Sequence, residues 1–160
     1  MAAQDIIFAG IILFVLSIGG FVVFFASNTV VDTMLDMTAI NSTPAAVESL
    51  QATKTASNRI DYLTLAVFIG LTLGIIITGY LVGGHSIFMA VYFIVVVIAT
   101  FLSAILANVW ESVTGASIFG TTITSFPISN HIITNLPLYV AVIGIIGIIV
   151  MFAKPQEVGY

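Results

Sequence analysis

The chain has 160 residues, of which 60% are hydrophobic and 6% charged, with three basic and seven acidic side chains and a net charge of −4. A soluble domain carries about 25% charged residues, so this composition excludes a water-solvated globule. It also lacks the clustered Lys and Arg that nucleic acid or anionic lipid heads demand. With no cysteine in the sequence, disulfides, thiolate catalysis and iron–sulfur ligation are excluded as well.

The spacing of the charges marks membrane crossings. No charged residue falls between Asp5 and Asp32, between Asp61 and Glu111, or between Glu111 and Lys154. One crossing takes about 20 apolar residues. The three gaps therefore have room for four spans, predicted over 6–28, 62–82, 87–109 and 136–153. The expected fold class is all-α, a single polytopic membrane domain.

In chain order, the first span opens behind Met1-Ala2-Ala3-Gln4-Asp5, with no basic residue ahead of the apolar run. That run is longer than the apolar region of a cleavable signal, so it is expected to persist as a helix. Residues 32–61 are the one hydrophilic stretch and are predicted to be partly helical. Asn41-Ser42-Thr43-Pro44 is a helix-start signal: a hydroxyl of Ser42 or Thr43 caps free N–H groups, and Pro44 fits the first helical position. No Gly or Pro follows before Asp61, which predicts a helix continuous from Pro44 to Val82. Its first part would stand outside the membrane. The face carrying Val47, Leu50 and Lys54 would then dock a partner or the first span.

Gly83-Gly84-His85-Ser86 joins the second and third spans, and so short a link predicts a tight antiparallel hairpin. Tyr62 and Trp110, together with Tyr80, Tyr92 and Tyr139, fall near span ends and read as anchors in the headgroup layer. Residues 112–135 carry no charge, while Gly115, Gly120 and Pro127 argue against one continuous helix. A surface loop, a short strand pair and a segment dipping into the membrane all fit. The fourth span begins near Pro137 and stops at Lys154-Pro155. Four spans put both termini on one side.

Small residues recur every four positions in the second span, at Ala66, Gly70, Gly74 and Thr78. The third span has Ala99, Ser103 and Ala107, and the fourth has Ala141, Gly144 and Gly147. Such stripes let helix backbones approach closely, which matters in lipid because no hydrophobic drive joins one helix to another. They are the candidate helix-packing positions, within one chain or between chains. Gly70→Leu or Gly74→Leu is expected to disturb packing more than Gly10→Leu.

Candidate chemistry is sparse. Asp5, Asp61, Glu111 and Lys154 sit at predicted span ends, where they are expected to reach water, and no ionisable group lies deep in a span. His85 and His131 have no further metal ligands at a useful spacing, and no GxSxG motif accompanies the serines. The expectation is a non-enzyme without catalytic residues, metal or cofactor.

Across its whole length the chain is short, very apolar, uncharged within its spans, free of cysteine and without catalytic residues. In these respects it resembles the small integral proteins that line the internal membrane of membrane-containing icosahedral viruses. The resemblance implies a non-enzymatic structural or assembly protein in a lipid bilayer. Its partners would be other membrane or capsid-like subunits, in a homo- or hetero-oligomer. Two other readings are a small pore-forming or holin-like channel and an accessory subunit of a membrane enzyme complex. The channel reading draws on the 112–135 segment. Against the holin form, the chain ends in Lys-Pro-Gln-Glu-Val-Gly-Tyr rather than a strongly charged tail.

Overall fold

A computed structural model of the protein describes residues 2–82 and 86–153. All regular elements among them are helical. In chain order they are α1 (Ala2–Leu35), the single turn α2 (Thr38–Asn41), α3 (Pro44–Ser57), α4 (Ile60–Val82), α5 (Ser86–Thr114), α6 (Pro127–Thr134) and α7 (Leu136–Ala153). Two 3₁₀ turns, Ser117–Phe119 and Thr122–Ser125, lead from α5 into α6. The 112–135 segment is therefore helical, not a strand pair.

Four helical stretches are long and apolar enough to span a bilayer: α1, α3 running into α4, α5 and α7. They present large apolar side chains outward, among them Phe8, Leu63, Phe101, Leu138 and Phe152. Such a surface is stable only in lipid. The chain is a multi-pass integral membrane protein.

Helix directions follow from side-chain contacts. Asp61, at the start of α4, meets α6, as does Trp110 near the end of α5. At the opposite ends of these helices Val82 and Ser86 are separated by Gly83, Gly84 and His85. That predicted turn and the Lys154-Pro155 stop lie outside the described residues. The short link makes α4 and α5 antiparallel, yet their main contacts are with other helices. α5 packs most closely on α7, and α7 also lies against α4, while α1 contacts both α4 and α5. The N-terminus of α1 and the C-terminus of α7 share the end opposite α6.

The α5–α7 contact is close because α7 has glycines where α5 has bulk. A methyl group at Gly144 would overlap Val96, and one at Gly147 would overlap the Tyr92 hydroxyl. Ala99, Ser103 and Ala107 lie on the buried face of α5, and Ala141 is half-buried on α7. The second-span stripe goes elsewhere. Ala66, Gly70 and Gly74 are exposed and Thr78 is half-buried. A methyl at Gly70 or Gly74 would meet nothing within 4 Å, just as at Gly10. Within one chain, then, the expected contrast between Gly70 and Gly10 is absent, because the helices pack on the other side of α4.

Levels along the bundle follow from helix rise. From Val82 to Asp61 is 21 residues, or about 32 Å at 1.5 Å per residue, close to the roughly 30 Å hydrocarbon thickness. Ile60 abuts Gly20 of α1. The 15 residues from Phe21 to Leu35 therefore extend about 22 Å beyond that level. α3 runs back alongside them, with Lys54 Nζ 2.6 Å from Asp32 Oδ1 and Ser27 Oγ 3.1 Å from Ser57 Oγ. The apolar face of α3 is thus turned toward its own first helix.

Two local expectations are corrected. Thr43 and Ser42 do not cap α3: both hydroxyls donate back to the Ala39 carbonyl, at 3.3 and 3.1 Å, and the helix starts on Pro44 alone. Nor is the helix continuous to Val82. It breaks at Asn58-Arg59, where Arg59 N donates to Ala56 O and Tyr62 N to Arg59 O, each bond reaching back three residues instead of four. Asn is a poor helix former, and the tightened turn lets α3 and α4 follow α1 at different angles.

Gly144→Ala and Gly147→Ala are each expected to lower stability by about 1–3 kcal/mol through overpacking. Gly70→Ala should be neutral or slightly stabilising, since Ala is the better helix former. Tyr92→Phe should be neutral or stabilising too, because the Tyr92 hydroxyl is buried without a hydrogen-bond partner. Thermal unfolding in mild detergent reads all four. Equal tolerance of Ala at positions 70, 144 and 147 would contradict the close α5–α7 contact.

Candidate functional site at the capped end of the bundle

The polar residues of this apolar chain gather where α6 closes the bundle. α6 begins on Pro127, and its preceding residue Phe126 offers no side-chain cap. The start of a buried helix leaves backbone N–H groups without partners. Asp61 supplies them from another helix: Ser129 N donates to Asp61 Oδ1 at 2.7 Å and Ile128 N to Oδ2 at 3.0 Å. The Ser129 hydroxyl then bonds the Thr64 hydroxyl, one turn along α4, at 2.9 Å. Asp61 is 3% exposed, and Thr64 and Ser129 are also buried. A carboxylate facing a helix N-terminus gains from both the hydrogen bonds and the helix dipole.

Trp110 makes the second tie. Its indole Nε1 donates to Asn130 Oδ1 at 3.0 Å. Around it, the edge of Phe21 meets the rings of Trp110, Phe119 and Phe126 at centroid distances of 5.7, 5.0 and 5.4 Å. Phe24 stacks edge-on to Phe126 at 4.8 Å, and Phe25 to Phe119 at 5.0 Å. Edge-to-face geometry is the favoured arrangement for aromatic pairs. The 3₁₀ turns are thereby fastened to α1.

Three sequence-based assignments change here. Asp61 does not reach water; it is enclosed and saturated by α6, whose N–H groups compensate its burial. Trp110 is 0% exposed and lies in the protein core, not in the headgroup layer, because α6 and the 3₁₀ turns cover it. Tyr92 is likewise buried, against Gly147. Tyr62 is 64% exposed at the start of α4, and Tyr80 is exposed near its other end. Tyr139 packs edge-on to Phe68 at 5.1 Å and His131 at 6.2 Å.

The contributions of Thr64, Ser129 and Asn130 were not foreseen. One signal was present in the sequence. Phe126-Pro127 starts a helix without a capping residue, so an acceptor has to come from elsewhere, and Asp61 is the one carboxylate between Glu48 and Glu111. Chemically the constellation is a clamp: the carboxylate accepts two fixed N–H bonds, which orient α6. Among the described residues, no three His, Asp or Glu side chains converge on a point that could hold a metal ion. Comparison with protein-family models, with curated proteins and with solved structures returned no match.

Asp61→Leu is expected to destabilise the protein by about 2–3 kcal/mol, since two buried N–H groups lose a charged acceptor. Asp61→Asn, which keeps one acceptor oxygen, should lose roughly half as much, and Thr64→Val about 1 kcal/mol. Hydrogen exchange at the Ile128 and Ser129 amides should accelerate in Asp61→Leu before the four-helix core opens. Unchanged protection there would rule out the clamp.

Proposed function

We propose that the protein is a non-enzymatic structural or assembly subunit of a larger membrane-embedded complex. The reading accords with the resemblance to internal-membrane proteins of icosahedral viruses. The observation that carries it is the α1–α3 hairpin, which extends past the level where α4 begins. One side of it bears an apolar groove of about 480 Å³, lined by Val23, Ala26, Val30, Val31, Met34 and Leu50. Apolar surface beyond the bilayer is unfavourable in water unless a partner covers it. A small-residue face in the membrane, at Ala66, Gly70 and Gly74, offers a second contact for another helix. The clamp at Asp61 fits the same role, because it makes the hairpin's base rigid.

Extraction in mild detergent is expected to recover the chain in a stoichiometric complex. Leu50→Asp should weaken that complex by at least about tenfold, or roughly 1.4 kcal/mol. A monodisperse monomer from the native membrane, or a complex indifferent to Leu50→Asp, would count against the proposal.

A further inference from the structure

Asn41-Ser42-Thr43, at the apex of the α1–α3 hairpin, has the form Asn-x-Thr with a middle residue other than proline. This is the acceptor pattern for N-linked saccharides. The carboxamide nitrogen is the nucleophile, and the hydroxyl two residues on is what a transferase reads. No other asparagine of the chain has Ser or Thr two positions later.

The structure meets the demands that such chemistry makes. α1 continues from Gly20, where Ile60 abuts it, to Leu35, and the exposed carboxylates Asp36 and Glu48 flank the apex, so the turn is solvated. Asn41, Ser42, Thr43 and Pro44 are all exposed. The Asn41 carboxamide takes no part in the hydrogen bonds of the described residues, whereas the Ser42 and Thr43 hydroxyls reach the Ala39 carbonyl.

The triplet is also easily drawn out. Asn41 closes α2, a single turn with no buried residue. Thr43 is already extended, at φ −110° and ψ 101°, as suits the residue before a proline. Lifting the triplet into an enzyme's cleft breaks only local backbone bonds, from Asn41 N to Met37 O, Ser42 N to Thr38 O and Thr43 N to Ile40 O. Segments with so little buried contact open locally at small cost.

From these observations we propose that Asn41 is a glycosylation acceptor, modified by a membrane transferase that uses a lipid-phosphate-linked saccharide. The Asn41 Nδ2 attacks the anomeric carbon of that donor. The C–N bond forms as the anomeric C–O bond breaks, the lipid phosphate leaves with the electron pair, and the displaced Nδ2 proton passes to a base of the transferase. The hairpin then lies on the side of the membrane away from the cytoplasm. Lys54 and Arg59, its two basic residues, are too few to hold it on the other side. The inference is independent of the assembly role and stands if that role fails.

Its test starts from the full chain recovered from its native membrane. The intact mass is expected to exceed the 16.9 kDa of the polypeptide by that of a glycan, carried on the peptide containing Asn41. Asn41→Gln and Thr43→Ala should each abolish the increase, while Thr43→Ser, which keeps the hydroxyl, should retain it. A second measurement reads the side of the membrane. The chain has no cysteine, so Thr55→Cys provides a single thiol on the exposed face of α3. In sealed vesicles with the cytoplasmic side outward, an impermeant maleimide should label it only after permeabilisation. An unmodified Asn41 peptide, a mass increase that survives Asn41→Gln, or labelling of Thr55→Cys in the sealed vesicles would overturn the proposal.

Discussion

One carboxylate joins the two ends of this sequence. Asp61 receives the first free N–H groups of α6 from 67 and 68 residues away along the chain. Without an acceptor those groups would be stranded at the edge of the hydrocarbon, where each unpaired backbone group costs several kcal/mol. α6 could not then lie across the bundle, and Phe119 and Phe126 would lose the position from which they grip Phe21 and Phe24. The hairpin of α1 and α3 stands on that base. Thr64, Ser129, Trp110 and Asn130 make the same connection around it.

Below this clamp, packing rests on shape. Lipid offers no hydrophobic reward for bringing two apolar helices together, so contact area and backbone proximity decide which helices meet. Gly144 and Gly147 accept Val96 and Tyr92 into α7, which explains why α5 packs on α7 more closely than on its sequence neighbour α4. Gly70 and Gly74 of α4 face outward with Ala66, leaving a smooth stripe on the membrane surface, while Gly79 is buried against α7. Beyond the lipid, the hairpin presents an apolar groove past Met34 and Leu50.

The sequence by itself determined the membrane class, the four spans and the even topology, because a 20-residue uncharged run has few alternatives to a helix in a bilayer. α7 begins where its composition shows it. Pro44 marks a helix start, being tolerated in a first turn and disruptive later. Only the tertiary structure decided what the interruptions in that pattern do. Asp61 and Trp110 look like residues at the water's edge, since a linear reading sees only the span each one ends. Whether they meet water depends on α6, which is distant in sequence and folds over them. The small-residue stripes show the same limit. Spacing tells which side of a helix is smooth, but which smooth side meets a neighbour is set by the relative rotation of whole helices, and that emerges only when all of them pack at once.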